Sequence, residues 1–310
     1  MSAAADNPPE TVPNAARETP RELRFALLIG LLCVVWSSTW WAIRICLEEQ
    51  PPLSSAAVRF VLAGLAMAAV APRLRKLENA PAPPTWLWLV FGLTNFAGGY
   101  GILYFAETVV PSGIAAVLWA IFPLLMAASA VTFLGERLSP RQWLGFGVSF
   151  AGVLSVLSSD LGGIAPDQLG YAWLVLLSPL VAAIGLTIVK KYGSSCSSVT
   201  LNRNGMLIGA AALLLCAFVR EDPLALRWTP RVLIATGYLA IIGTAMTFAI
   251  YMWLLRTAPA SMLSLINYIT PVLAMLLGAA VGDGALDAFA WLGAALVTAG
   301  IALVVTKNRG

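Results

Sequence analysis

Very few side chains in this 310-residue sequence can do acid–base, nucleophilic or metal chemistry. There is no His at all, which removes His-based metal sites, His proton relays and Ser-His or Cys-His catalysis. The four cysteines (Cys33, Cys46, Cys196 and Cys216) are scattered with no CxxC pair, and two lie inside apolar runs. Those two are expected to be buried thiols, the other two sit near helix ends, and no disulfide is expected. No Asp or Glu falls in the middle of an apolar run. An intramembrane enzyme would need paired acids or a nucleophile with its base, and neither is present. The chain is therefore read as no enzyme, with no metal and no cofactor.

Three charged residues are candidates for gating or charge recognition. Arg59 and Arg203 lie inside apolar runs, 144 residues apart, and Glu107 sits just before Pro111. A charge in hydrocarbon is costly and is a functional candidate by default. Both arginines fall near span ends, so snorkelling to the interface is the plainer expectation for them. Glu107 reads as an interfacial charge on the same ground.

Aromatic and amide residues are better placed to bind something. Trp40, Asn95, Tyr100, Tyr104, Trp119, Tyr251, Asn267 and Tyr268 are the candidate substrate-binding set. Trp36 and Trp40 share a helical face, as do Tyr100 and Tyr104, and Thr247 and Tyr251. An amide in hydrocarbon needs a partner, which singles out Asn267. Asn95 lies in a glycine-rich stretch (Gly92, Gly98, Gly99, Gly101) that permits close packing or a helix distortion. Pro123 and Pro271 are candidate hinges, because a proline in mid-helix frees a backbone carbonyl. Gly64, Gly145, Gly147, Gly152, Gly293 and Gly300 are candidate packing positions.

The elements that position these residues follow from composition. Hydrophobic residues make up 59% and charged residues 11%, against about 25% charged in soluble domains. Mean hydropathy is +0.84. A soluble fold of this size cannot hide so much apolar surface. The expected class is an all-α polytopic membrane protein, with no nucleic-acid partner. Residues 1–24 read as a disordered tail. Ten apolar runs follow, at 25–46, 53–71, 86–106, 111–133, 141–158, 171–190, 200–219, 231–255, 259–281 and 286–305. Each approaches the ~20 residues that cross a bilayer. The break between the eighth and ninth rests on Pro259, since proline suits a first helical turn.

Ten spans put both termini on one side. With the N-terminus inside, most of the 19 Lys and Arg residues fall inside, among them Arg73, Arg75, Lys76, Arg137, Arg141, Lys190 and Lys191. That is the positive-inside pattern. An inner membrane, with both termini cytoplasmic, is expected.

The two halves also match each other. Shifting the sequence by 148 residues brings Pro111 onto Pro259, Pro123 onto Pro271 and Leu138 onto Leu286. The same shift brings Trp143-Leu144-Gly145 onto Trp291-Leu292-Gly293 and Ala151-Gly152 onto Ala299-Gly300. Five spans per copy is odd, so the second copy enters from the opposite side. Such inverted repeats are a device of secondary transporters. The expected organisation is a cytoplasmic tail (1–24), a first five-helix repeat (25–158), an external linker (159–170), a second repeat (171–305) and a short cytoplasmic tail (306–310).

These motifs resemble the EamA-type drug/metabolite transporter family. The resemblance rests on Trp36-Ser37-Ser38-Thr39-Trp40, Arg59-Phe60, Pro123 and Gly135-Glu136-Arg137-Leu138-Ser139-Pro140, followed by Trp143-Leu144-Gly145 and Gly152. Asn267-Tyr268-Ile269-Thr270-Pro271 and Trp291-Leu292-Gly293 fit the same template in the second half. Ser37 stands where the family often has Gly, and Gly282-Asp283 falls one position out of register with Gly135-Glu136. The aromatic-rich spans look like the YddG-type amino-acid exporters. The resemblance implies two inverted five-helix halves around a central cavity and a small-molecule substrate; a monomer in the lipid bilayer is the expected state. Alternating-access export of aromatic and other neutral amino acids is the leading expectation, by facilitated diffusion or ion coupling. A multidrug or nucleotide-sugar carrier of the same fold, or a channel, remain alternatives.

Overall fold

A backbone in lipid must satisfy its polar groups internally, and the described residues do so with helices alone. The structure is a computed structural model and describes residues 20–110, 115, 118–156, 169–222, 225–280 and 288–306. The helices are α1 (Pro20–Leu47), α2 (Pro52–Glu78), α3 (Thr85–Phe91), α4 (Tyr100–Ala106), α5 (Phe122–Leu134), α6 (Pro140–Val156) and α7 (Leu169–Gly193). They continue as α8 (Ser198–Arg220), α9 (Pro230–Ala240), α10 (Thr247–Thr257), α11 (Ala260–Ser264), α12 (Ile266–Ala280) and α13 (Ala288–Val305). Two π-helical stretches, Gly92–Gly99 and Ile241–Met246, join α3 to α4 and α9 to α10 without a break.

Seven helical segments among the described residues are long and apolar enough to cross a membrane: Leu23–Leu47, Pro52–Glu78, Thr85–Ala106, Trp173–Gly193, Ser198–Arg220, Pro230–Thr257 and Ala288–Val305. Phe122–Leu134 and Ala260–Leu273 are apolar but shorter. The chain is thus a multi-pass membrane protein. Large apolar side chains such as Trp41, Leu65, Trp173, Phe218 and Ile234 are exposed on its outside, where lipid rather than water would cover them.

Helix pairing runs between the halves. α2 lies along α8, and α6 along α13. α1 packs on α12, and α5 on α7. The π stretch Gly92–Gly99 contacts α7 and α8, while Ile241–Met246 contacts α1 and α2. Corresponding elements therefore make corresponding contacts. The α6–α13 seam is close because of glycine: a Cβ on Gly145 would sit 2.6 Å from the Gly300 carbonyl, and one on Gly152 2.8 Å from the Gly293 carbonyl. Gly64 abuts Leu207 in the same way. Gly147, expected to be a packing position, has open space around it; it faces away from the seam that its neighbour Gly145 builds.

Carboxylates cap helix starts across the halves. Glu221, after α8, accepts from the Leu53 and Ser54 amides of α2 at 2.8 and 2.9 Å. Glu78, ending α2, accepts from the Ser198 amide of α8 at 3.0 Å and from the Ser197 hydroxyl at 2.6 Å. Gly135 closes α5 with φ +70°, a conformation that suits glycine. The next residue, Glu136, reaches the α11 start, where the Ala260 amide donates to it at 2.7 Å. These first-turn amides have no helical partner of their own. The Gly282-Asp283 counterpart lies outside the described residues.

Pro259 is the N-cap residue of α11, and the chain breaks there as its sequence suggests. The two expected hinge prolines differ. Pro271 is inside α12, and the Thr270 hydroxyl donates to the Asn267 carbonyl that the proline leaves free, at 3.4 Å. Pro123 is instead in the first turn of α5, after a turn at Ala120–Ile121. A proline there costs no hydrogen bond, so a mid-helix hinge at Pro123 is not what the structure has. All four cysteines are free; Cys216 is exposed and the other three are buried.

Candidate functional site

A cavity of about 90 Å³ lies between the halves. α1 contributes Trp36, Thr39, Trp40 and Ile43; the π stretch and α4 contribute Asn95, Tyr100 and Leu103. Trp119 and Phe122 precede and open α5; Ala182 and Leu186 come from α7. The second half completes the wall with Phe248 and Tyr251 of α10 and Asn267 and Thr270 of α12. No lining residue among those described carries a charge.

Helical spacing explains each cluster. Trp36 and Trp40 are one turn apart on α1, and Asn267 and Thr270 one turn apart on α12. Two cross-half hydrogen bonds fix the wall. The Trp36 indole donates to the Thr247 hydroxyl at 3.1 Å. The Trp119 indole donates to the Asn267 side-chain oxygen at 3.4 Å. This second pair joins residues that the repeat shift superposes on each other. Asn267 also donates to the Ser264 carbonyl at 3.2 Å, and Asn95 donates to the Thr94 hydroxyl at 3.1 Å.

The apolar wall is aromatic. Trp36 packs on Tyr251 and Phe248 with ring centres 5.4 and 5.9 Å apart. Trp119 and Phe122 are parallel at 5.8 Å. The buried Tyr251 hydroxyl has no hydrogen-bond partner. Such a group is costly to leave unsatisfied.

Of the eight residues singled out as substrate-binding, six line this cavity: Trp40, Asn95, Tyr100, Trp119, Tyr251 and Asn267. Tyr104 and Tyr268 do not. Tyr268 is fully buried in a separate cluster beside Phe146, at 6.4 Å between ring centres. Tyr104 lies behind the wall as the partner of Arg59, which donates to its hydroxyl at 2.9 Å.

Arg59 does not snorkel. It is 1% exposed, because neutral acceptors inside the protein satisfy it. Its Nε donates to the Thr244 hydroxyl at 2.8 Å, and a second guanidinium nitrogen lies 3.5 Å from the Gly243 carbonyl. The guanidinium stacks over the Tyr100 ring at 5.0 Å and the Phe60 ring at 5.4 Å. Tyr100 is thus shared between the cavity and the arginine. Arg203 behaves differently: it is half-buried and donates to its neighbour Asn204 at 2.9 Å. Glu107 caps α4, immediately after the span. One of its carboxyl oxygens is buried with no hydrogen-bond partner. Burial pushes its pKa from 4.5 up to about 8, against the opposing pull of Arg59.

Sequence reasoning passed over Thr39, Phe122, Phe248 and Thr270 as wall residues. Thr270 and Phe248 are each three residues from a chosen one, Asn267 and Tyr251, so the helical face was the available signal. Thr244 was missed because nothing in sequence announces its π-helical turn.

Known proteins share this family and fold. The EamA-like transporter family matches twice, at residues 23–158 and 169–306. The inner membrane transporter YedA of Escherichia coli K12, itself uncharacterized, is 30% identical over 292 residues, covering 91% of this chain and 92% of its own. The transporter YvbV of Bacillus subtilis is 27% identical over 288 residues, covering 92% and 93%. A solved crystal structure shares the fold with a TM-score of 0.75 at 21% identity, covering 90% of this chain and 96% of its own. The chain belongs to the EamA-like transporter family and is a membrane transporter of the drug/metabolite type.

Proposed function

We propose that this protein is an alternating-access exporter of small metabolites, with neutral amino acids, aromatic ones included, as the first substrate class to test. The observation that carries the reading is the uncharged aromatic-and-amide cavity at the junction of the halves, bridged by Trp119 and Asn267. Amide and hydroxyl groups beside indole and phenol rings suit a compact zwitterion with an apolar side chain. The pyrophosphate of a nucleotide sugar would need basic side chains in the wall, and a cationic drug would need an acidic one. Neither stands there among the described residues.

Size supports movement. A cavity of about 90 Å³ is smaller than the roughly 150 Å³ that accommodates benzene in an engineered protein. Loading an aromatic amino acid therefore requires the halves to part. Ten spans as two inverted five-helix repeats would supply two related states, one open to each side. In this reading both termini are cytoplasmic, the membrane is the inner one, and the likeness to YddG-type exporters extends to substrate class.

Counterflow in proteoliposomes tests the proposal. Vesicles loaded with one unlabelled amino acid should accumulate labelled tracer, with alanine at Trp119 or Asn267 slowing uptake while the protein stays folded. No accumulation with any amino acid would remove this substrate class. Unchanged kinetics in both variants would remove the assigned site.

A further inference from the structure

Among the described residues, Arg59 is the charge that lies directly against the cavity wall, over Tyr100. Its three hydrogen bonds all go to neutral oxygens, on Thr244, Tyr104 and Gly243. No ion pair joins it to a carboxylate among the described residues. The guanidinium lies over the face of Tyr100, whose ring is part of the wall. A full positive charge thus sits one ring behind an uncharged, largely apolar cavity. In a medium of low dielectric its field is screened weakly.

The candidate counter-charge is Glu107, which follows Tyr104, the hydrogen-bond partner of Arg59, by three residues at the end of α4 and interacts with Arg59 without bonding to it. Its buried oxygen has no partner. Among the described residues, the other charged or titratable groups near this end of α4 are these. Tyr104 is on the same helix. Tyr171 of α7 packs on Phe105 at 6.1 Å, and Arg220 of α8 lies over that ring at 5.9 Å. Cys46 of α1 and Arg59 of α2 complete the set around Tyr104. Glu221 is already committed to the α2 start.

We propose that Arg59 and Glu107 set the charge selectivity of the cavity: Arg59 favours ligands bearing a carboxylate or similar anionic group, and ionisation of Glu107 cancels that preference. This deepens the carrier reading and rests on it for the use of the cavity. With Glu107 protonated, Arg59 is uncompensated and the cavity is positive. With Glu107 ionised, the pair is neutral and the preference fades. The switch is centred where burial has moved this carboxyl, at about pH 8.

Purified protein in detergent can be tested without transport. Three matched probes are phenylacetate (anionic), phenylacetamide (neutral) and phenethylamine (cationic), each of which keeps its charge on both sides of pH 8. Binding is read by quenching of the cavity tryptophans. Below pH 8 phenylacetate should bind at least ~10-fold more tightly than phenethylamine, as a single uncompensated charge would produce. Above it the gap should shrink. In Glu107→Gln the anion preference should persist at both pH values. Arg59→Gln should abolish it; if that variant does not fold, Glu107→Gln still decides.

Stability gives a second readout. Folded Glu107 holds its proton to higher pH than the unfolded chain. Its contribution is therefore fully present below pH 4.5 and lost as pH rises through about 8. Glu107→Gln should lack that loss. Equal binding of all three probes, binding of none, tighter binding of phenethylamine, or an unchanged pH response in Glu107→Gln would overturn the proposal. Counterflow of a neutral substrate alongside any of these would leave the carrier reading standing.

Discussion

The two π-helical stretches occupy matching positions in the two halves yet are held in different ways. In the first, Gly92–Gly99, backbones approach each other directly. A Cβ on Gly92 would sit 2.6 Å from the Gly205 carbonyl, and one on Gly205 2.8 Å from Phe91. The Gly99 carbonyl accepts one hydroxyl, from Ser178 of α7, at 2.6 Å. In the second, Ile241–Met246, polar side chains take up the widened turn. Thr244 donates to the Leu239 carbonyl at 2.7 Å, and Thr247 donates to the Gly243 carbonyl at 2.9 Å. Arg59 then bonds Thr244. The first stretch is closed mainly by small residues, with hydroxyls from Thr94 and Ser178; the second is closed by threonine hydroxyls and a cation. Symmetry of backbone has been kept while charge has been placed on one side only, and the cavity between them inherits that asymmetry.

Arg59→Met should have the largest effect. It leaves the Thr244 and Tyr104 hydroxyls without their charged donor, at ~3 kcal/mol or more, since each bond to a charged group contributes ~1.5–3 kcal/mol. A large fall in melting temperature in detergent checks this; a melting curve like that of wild type would refute it. Gly92→Ala should cost the first stretch ~1–3 kcal/mol through overpacking against the Gly205 carbonyl. The equivalent test on the second stretch, Ala245→Gly, should act through propensity alone, at ~1 kcal/mol. Thr244→Val removes a hydroxyl that both donates and accepts, and ~1–2 kcal/mol is expected. Ser178→Ala removes a single neutral bond and should cost ~1 kcal/mol. Equal losses for Ser178→Ala and Thr244→Val would show that the two closures are equivalent, contrary to the contrast drawn here.

Several features of the site were legible before any coordinates. Asn267 stood out because an amide in hydrocarbon needs a partner, and Trp119, its counterpart under the repeat shift, was in the same candidate set; the two bond each other. The glycines around Asn95 allowed close packing or a helix distortion, and the structure has both. The matching distortion at Ile241–Met246 was silent, because its closure uses threonines, which occur in ordinary helices as well. Tyr104 and Tyr268 were grouped with the cavity residues because helical phase says which face a residue shares, and nothing about which neighbour covers that face. Arg59 was assigned to an interface on depth alone, since depth along a span is readable and the presence of three neutral acceptors around it is not.

The sequence by itself determined that this chain lives in lipid, that its backbone is helical, that its halves are related and where proline and glycine interrupt the spans. Each follows from local composition or spacing, which act over a few residues. Only the tertiary structure decided that Arg59 is buried behind Tyr100, and that one oxygen of Glu107 and the buried Tyr251 hydroxyl are left without partners. Those outcomes depend on which helices meet, and the partners come from residues up to 211 positions apart, as Trp36 and Thr247 are.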